Sequence, residues 1–480
     1  MAMLGRVTTT LLTTGFLLTA MSDPAAGQQD PPASASGISI EALMRTVEAQ
    51  QKLIDAQGQR LEELQREIAA VRALTANGAT AAAPLTTAQA AGPAAAVQPA
   101  TEQEPARIPE LPPDVVSASE FPGSFKVPGT DAALKIGGMV RVNWVSTFDP
   151  LGVDDRFVTS AIPIAGSADA QQGGSVAVIA TPSRFNFDLR TPTGVGYMRA
   201  FIEGDFAGSG NTLRLRHAYG QWRRLIFGQT WSTFADPEAD PAGIDFEGLN
   251  AVVLFRQPQI RWSVPLGERV RLAVALEDPK PELTDADGVN QVPDFVARVR
   301  WEPRVGGHVQ LSGLLRQLRG EPANQDNQIA AAGGYGVNLS GRLPSPYQKQ
   351  RDHILFQQNA GRGIGRYITD LRTLGGQDGV FDEAANELRA LDVFSGYVGY
   401  EHWWSAQFRS TITFGFVGVS NLDIQPDNAL HRTRRSSLNF MWSPIPRLDL
   451  VSEFLWGRRI NKNGQSGTAS QLQIGSNFRF

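Results

Sequence analysis

The chain has 480 residues, with 48 Gly, 30 Pro, 19% charged residues, a formal net charge of −4 and no Cys. A mean hydropathy of −0.20 is too polar for a bundle of membrane helices, yet it suits a barrel whose lumen is wet. The absence of Cys excludes disulfide scaffolds, thiolate metal sites and cysteine nucleophiles.

Residues 1–27 carry one basic residue, Arg6, an apolar run from Val7 to Ala20, and small residues at Ala25, Ala26 and Gly27. This order predicts a secretory signal peptide, because an apolar run of about fourteen residues falls short of the roughly 18 to 20 that a spanning helix needs. No later run is long and apolar enough for a membrane helix, so any membrane crossing must use strands. Across residues 38–75 a strict 3,4 spacing joins Ile40, Leu43, Val47, Gln50, Ile54, Gln57, Leu61, Leu64, Ile68 and Val71. These are the a and d positions of a short α-helical coiled coil, with Gln50 and Gln57 as a polar layer that fixes register at some cost in stability. One amphipathic helix lying on a protein surface is the alternative, but the outer positions are rich in Glu, Gln and Arg. Residues 76–122 are Ala, Pro, Thr and Gly with almost no periodic apolar content, and they read as a linker.

Over residues 123–480 a two-residue period returns repeatedly. Ile136, Val140, Val142, Trp144 and Phe148 oppose Lys135, Arg141, Asn143 and Thr147. Phe295, Ala297, Val299 and Trp301 oppose Asp294, Arg298, Arg300 and Glu302. Sixteen or seventeen such segments can be marked off by Gly, Asp, Asn and Pro, and since closed bacterial barrels take an even number the expectation is sixteen. A soluble sandwich gives similar alternation. Aromatics near strand ends, such as Trp403, Trp404, Trp442 and Trp456, and polar faces rich in charge favour lipid instead. The reading is therefore an all-β protein: a transmembrane antiparallel β-barrel of about 16 strands behind a periplasmic coiled coil. The last ten residues, QLQIGSNFRF, alternate to the end, as a strand that closes a barrel must.

The stretches GSFKVPGTDAALKIGGMVRVN, LRLRHAYGQW, FGQTWSTFADPEADPAGIDFEG, SGYVGYEHWW and SPIPRLDLVSEFLWGRRINKNGQSG resemble the DcaP-like family of outer-membrane porins. The resemblance covers essentially the whole barrel and the layout of a coiled coil ahead of it. It implies a homotrimeric diffusion channel for small organic acids, dicarboxylates among them, sited in the outer membrane with its coiled coil in the periplasm. It also implies contact with outer-membrane lipid and the barrel-assembly machinery, which reads a C-terminal Phe such as Phe480 as part of an insertion signal.

Of the 44 basic residues only six are Lys, leaving 38 Arg, whose planar fork suits carboxylate. Arg141, Arg184, Arg190, Arg199, Arg214, Arg216, Arg269, Arg271, Arg298, Arg300 and Arg409 fall on the polar faces. Two readings stand: a positive lumen that draws in anions, or arginines that brace the wall against Asp188, Glu203, Asp205 and Glu277. The acidic stretches at 236–248 and 284–288 lack the twelve-residue calcium-loop spacing, and a solvated loop or a segment folded into the pore is expected. GRGIGR at 361–366 lacks the Lys and Ser or Thr of a phosphate loop and reads as a Gly-rich strand end. No metal spacing links the five His and no nucleophilic set stands out, so neither an enzyme, a cofactor nor a nucleic-acid partner is expected. The competing readings are a tether whose coiled coil grips cell wall or a periplasmic partner, a trimeric autotransporter, and an outer-membrane lipase. Many inward arginines argue against the tether, more than 350 alternating residues against the autotransporter, and the missing Ser and His site against the lipase.

Overall fold

The computed structural model describes residues 121–323, 328–345 and 351–480. The expected signal peptide and coiled coil, and nearly all of the linker, lie outside the described residues. In hydrocarbon a run of strands has one way to satisfy every backbone N–H and C=O, which is to pair sideways until the sheet closes. The alternating runs do so. The strands are β1 (Ala133–Thr147), β2 (Ser175–Ile179, continued by Arg184–Thr193), β3 (Gly196–Asp205), β4 (Arg214–Trp222), β5 (Leu225–Trp231), β6 (Arg256–Pro265), β7 (Val270–Glu277) and β8 (Asp294–Trp301). They continue with β9 (His308–Pro322), β10 (Ala330–Pro344), β11 (His353–Arg362), β12 (Asp392–Trp403), β13 (Phe408–Ser420), β14 (Leu430–Ile445), β15 (Leu448–Asn461) and β16 (Ser466–Arg479). Two short segments add to this wall, Phe125–Lys126 on β1 and Ala286–Gly288 on β9. Neighbours pair antiparallel throughout, and β16 returns to β1 with Trp144 opposite Ile474. The closed sixteen-strand barrel is the one the alternation predicts.

Phe480 finishes the seam. Its N–H donates to the Gly138 carbonyl at 3.2 Å and its carbonyl accepts from the Gly138 N–H at 3.3 Å. The Phe480 ring occupies the space a Cβ at residue 138 would fill, so glycine is what lets the last residue pack on the first strand.

The faces follow parity. Val140, Val142 and Trp144 point outward and are exposed, while Asn143 and Val145, on the opposite parity, are fully buried. The apolar side chains are thus the accessible ones, as lipid requires, and the inward polar ones are covered. Trp222, Trp262, Trp301, Trp404 and Trp442 lie at strand ends beside the short turns, forming a band of the kind found at a membrane interface. At this end β14 and β15 are joined through Pro446 and Arg447, the latter at φ 73°, the pattern of a type II turn with Pro at its second position. At the other end several connections are long, residues 148–174, 232–255 and 363–391 among them. The wall is uneven: β4 to β8 run 7 to 10 residues, whereas β9, β10 and β14 run 15 or 16.

Candidate solute passage

Residues 232–255, between β5 and β6, do not stay at the rim. Phe234, Ala235, Ile244, Ala251, Val252 and Val253 are fully buried inside the barrel. A loop drawn into such a place must have its backbone groups satisfied, and a row of inward amides does this. Asn338 Nδ2 donates to the Phe234 carbonyl at 2.9 Å, Gln310 Nε2 to Ala235 at 3.0 Å, and Asn439 Nδ2 to Ala242 at 2.7 Å. Asn143 Nδ2 donates to Ile244 at 2.9 Å and Asn359 Nδ2 to Ala251 at 3.1 Å, while Gln357 Oε1 accepts from the Val253 N–H at 2.7 Å. Glu453 accepts the Ile244 N–H at 2.6 Å. Arg435, 2% exposed, clamps the turn with Nη2 on Asp245 at 2.7 Å and Nη1 on the Phe157 carbonyl at 2.9 Å.

Two more segments pack on this loop. Gly363, at φ +69° against Leu318, turns the chain inward after β11, so the Gly-rich strand end is also the entrance of an internal segment. There Tyr367 sets its ring edge-on to Phe234 and Phe255, at 5.5 and 4.9 Å, and its hydroxyl donates to Asp294 at 2.7 Å. Buried Arg316 joins Asp294 at 3.3 Å to Asp378 at 3.1 Å. From the β1–β2 connection, Phe157 and Ile162 pack against Leu455 and Ala469, and Ser160 Oγ donates to the Asp370 carbonyl at 3.0 Å.

These segments line the tall wall, β9 to β16, and leave space against β1, β2 and β4. The gap is a cavity of about 280 Å³ with Arg141, Arg184 and Arg216 on the strand side, and Asp240, Phe246 and Glu247 on the loop side. Arg216 reaches Glu203 at 2.7 Å and Asp205 at 2.9 Å, Arg214 takes Asp205 at 2.7 Å, and Arg184 stands 3.8 Å from Glu203. The Phe246 ring meets the Arg214 guanidinium 5.4 Å away. Arg141 donates to Asn143 at 3.3 Å and keeps one terminal nitrogen without a partner. Burial pushes the Asp240 carboxyl up to about 7, so this acid titrates near neutrality. Basic side chains on the strand side and acidic ones on the loop side thus face one another across this cavity.

Residues 122–480 match the profile of the DcaP outer membrane protein family. The chain belongs to that family. Among solved structures, the outer membrane channel DcaP of Acinetobacter baumannii is similar, with a TM-score of 0.66 at 21% identity, over 75% of this chain and all of that one. An anion-selective porin from Comamonas acidovorans aligns at 11% identity and a TM-score of 0.49, covering 73% of this chain and 100% of that one. No curated protein matches the chain. Family and fold together make this an outer-membrane β-barrel porin.

The eleven arginines singled out from the sequence divide. Arg190 and Arg199 both clasp Asp188, at 3.1 and 2.8 Å, and Arg409 stands 4.0 Å from Glu401 and from Asp449. Arg300 is held by Glu238 at 2.6 Å and Glu302 at 3.0 Å; Arg271, two-thirds exposed, meets Glu302 at 3.4 Å. With Arg184, Arg214 and Arg216, these eight have carboxylate partners. Arg269 lies in the turn before β7 and not on the strand itself. Arg141 and Arg298 have no ion pair among the described residues. The expected brace at Glu277 involves no arginine; Ser232 Oγ and the Thr233 N–H donate to it, each at 2.6 Å. Sequence reasoning missed Arg261, Arg316 and Arg435, although parity puts all three on inward faces. It also missed the amide row, whose one sequence signal is the apolar, non-alternating run Ala251–Phe255 that needs a buried home.

Proposed function

We propose that this porin favours small anionic organic acids, dicarboxylates among them, and that the preference comes from inward arginines left without carboxylates. The observation that carries this reading lies on β6 to β8. Arg261 on β6 and Arg298 on β8 flank Ala273 and Ala275 of β7, which lie in register between them. The two alanines leave room above them for both guanidiniums, neither of which has an ion pair among the described residues; Arg261 Nε has no hydrogen-bond partner. Like charges across so small a gap repel, and a passing carboxylate relieves them with a fork of donors. Such a site has to hold its solute weakly enough to release it, as a conducting pore needs. Replacing Arg261 and Arg298 together by Gln removes two charges and keeps polarity. In planar bilayers at one salt concentration, wild type is expected to show anion-selective reversal potentials and brief blocks by succinate, both reduced in the double variant. A cation-selective wild type, or a variant that behaves identically, overturns the reading.

The same proposal takes the protein as a homotrimer, exported by a signal peptide at 1–27, inserted by the barrel-assembly machinery through Phe480, and carrying the coiled coil of 38–75 in the periplasm. The repeating a and d positions support the oligomer. The mass of the detergent-solubilised particle is expected to equal three chains; one chain at every concentration refutes it.

A further inference from the structure

The outer wall carries positive charge that the lumen does not use. Arg432 and Arg434 on β14 share the outward parity of Leu438 and Phe440, and Arg458 on β15 shares that of Phe454 and Trp456. Arg434 stands directly across from Arg458. None of the three has an ion pair among the described residues; Arg458 donates to Ser466 Oγ at 3.0 Å and retains a buried, unpartnered Nε. The acid that reaches this face, Asp392, is already held by both nitrogens of Arg362, at 2.7 and 2.9 Å. Like charges directly opposite on paired strands are destabilising, and on a lipid-facing wall they have little water to relieve them.

Their height is informative. Trp442, in the aromatic band at the short-turn end, lies eight residues along β14 from Arg434. At roughly 3.3 Å per residue on a strand tilted about 40°, the climb is about 20 Å, so the arginines sit near the opposite edge of an apolar band about 25 Å tall. Two grooves run beside and below them on the same outer face, of about 750 and 410 Å³, sharing Phe414. Ala360 and Gly418 keep the first groove deep, and Phe394 and Phe416, with ring centroids 5.4 Å apart, form its side. The second continues past Leu438, Phe454 and Trp456.

We propose that this face binds a phosphate-bearing, multi-chain lipid of the leaflet at the long-loop end, with chemistry of the lipid A kind. Phosphate oxygens take the guanidinium forks of Arg432, Arg434 and Arg458, and acyl chains lie in the grooves beneath. An amphiphile fits because charge and apolar space are stacked along the membrane normal in the order that headgroup and chains require. The test uses the full-length protein in detergent micelles, titrated with bisphosphorylated lipid A or with the same lipid stripped of phosphate, and read as bound lipid by native mass spectrometry. Wild type is expected to prefer the phosphorylated form. Changing the three arginines to Gln should lower that preference by roughly fivefold per arginine, and changing them to Lys should retain much of it. If wild type does not distinguish the two lipids, the proposal fails whether or not any variant folds. A Gln variant that keeps the preference also overturns it, as does one that changes the number of chains per particle while binding lipid A as before, which would assign the face to contacts between copies.

Discussion

The two halves of this barrel wall solve the same problem differently. Both carry polar side chains that a lipid-facing protein must turn inward. On the tall half, from β9 to β16, the inward residues are mostly neutral amides and hydroxyls, and the chain covers them with its own loops. On the low half, from β2 to β8, they are mostly arginines and acids, which pair among themselves and leave water space in front. An amide offers a donor and an acceptor to a backbone and gains about 1 kcal/mol from each bond, so a row of them can hold a buried loop. An arginine keeps its hydration unless a charge is supplied, so a wall of them stays wet. Where the two halves meet, the cavity between Arg141, Arg184 and Arg216 and the acidic loop is formed.

The sharpest way to break this contrast is to make one substitution on each half. Arg435→Gln leaves the buried Asp245 without its cation. Removing one partner of such a pair costs about 3 to 5 kcal/mol, so the variant should lose the folded gel form at distinctly lower temperature and show larger, noisier conductance. Asn338→Ala leaves the Phe234 carbonyl without a donor side chain and should cost about 1 to 3 kcal/mol, with a smaller shift of the same kind. Arg199→Gln leaves Asp188 still paired with Arg190, whose guanidinium is partly exposed, and should cost about 1 kcal/mol or less, with no detectable change in gel transition. Equal losses for Arg435→Gln and Arg199→Gln would show that the halves are not held differently.

The smallest expected effect concerns Asp240. Because its carboxyl is raised to about 7, it is mostly neutral at pH 6 and mostly charged at pH 8. Raising the pH therefore adds negative charge to the cavity, and anion preference should fall modestly between those values. Asp240→Asn should be flat over the same range in reversal-potential measurements. A pH step of unchanged size in that variant would place the titrating group elsewhere.

The sequence alone determined the number of strands and which side of each faces lipid. The reason is local: successive side chains on a strand point to opposite faces, so Val140, Val142 and Trp144 against Arg141 and Asn143 already contain the answer. It also marked the segment Gln471–Phe480 as a strand by its alternation, and that strand is the one that pairs with β1 to close the barrel. Short-range pairs were within reach too, such as Arg190 with Asp188 and Arg300 with Glu302, each two residues apart on one face.

What only the tertiary structure decided is which arginines are spent on pairing and which are left over. Arg435 finds Asp245 across 190 residues of chain, Arg300 finds Glu238 across 62, and Arg316, which already neighbours Asp294 across the β8–β9 ladder, gains Asp378 only because an internal segment folds back over those strands. No periodicity encodes these partners, because the distance that sets an ion pair is measured through the lumen. The same holds for residues 232–255: their burial depends on amides from six places on the wall converging on one loop, and convergence appears only when the sheet has closed.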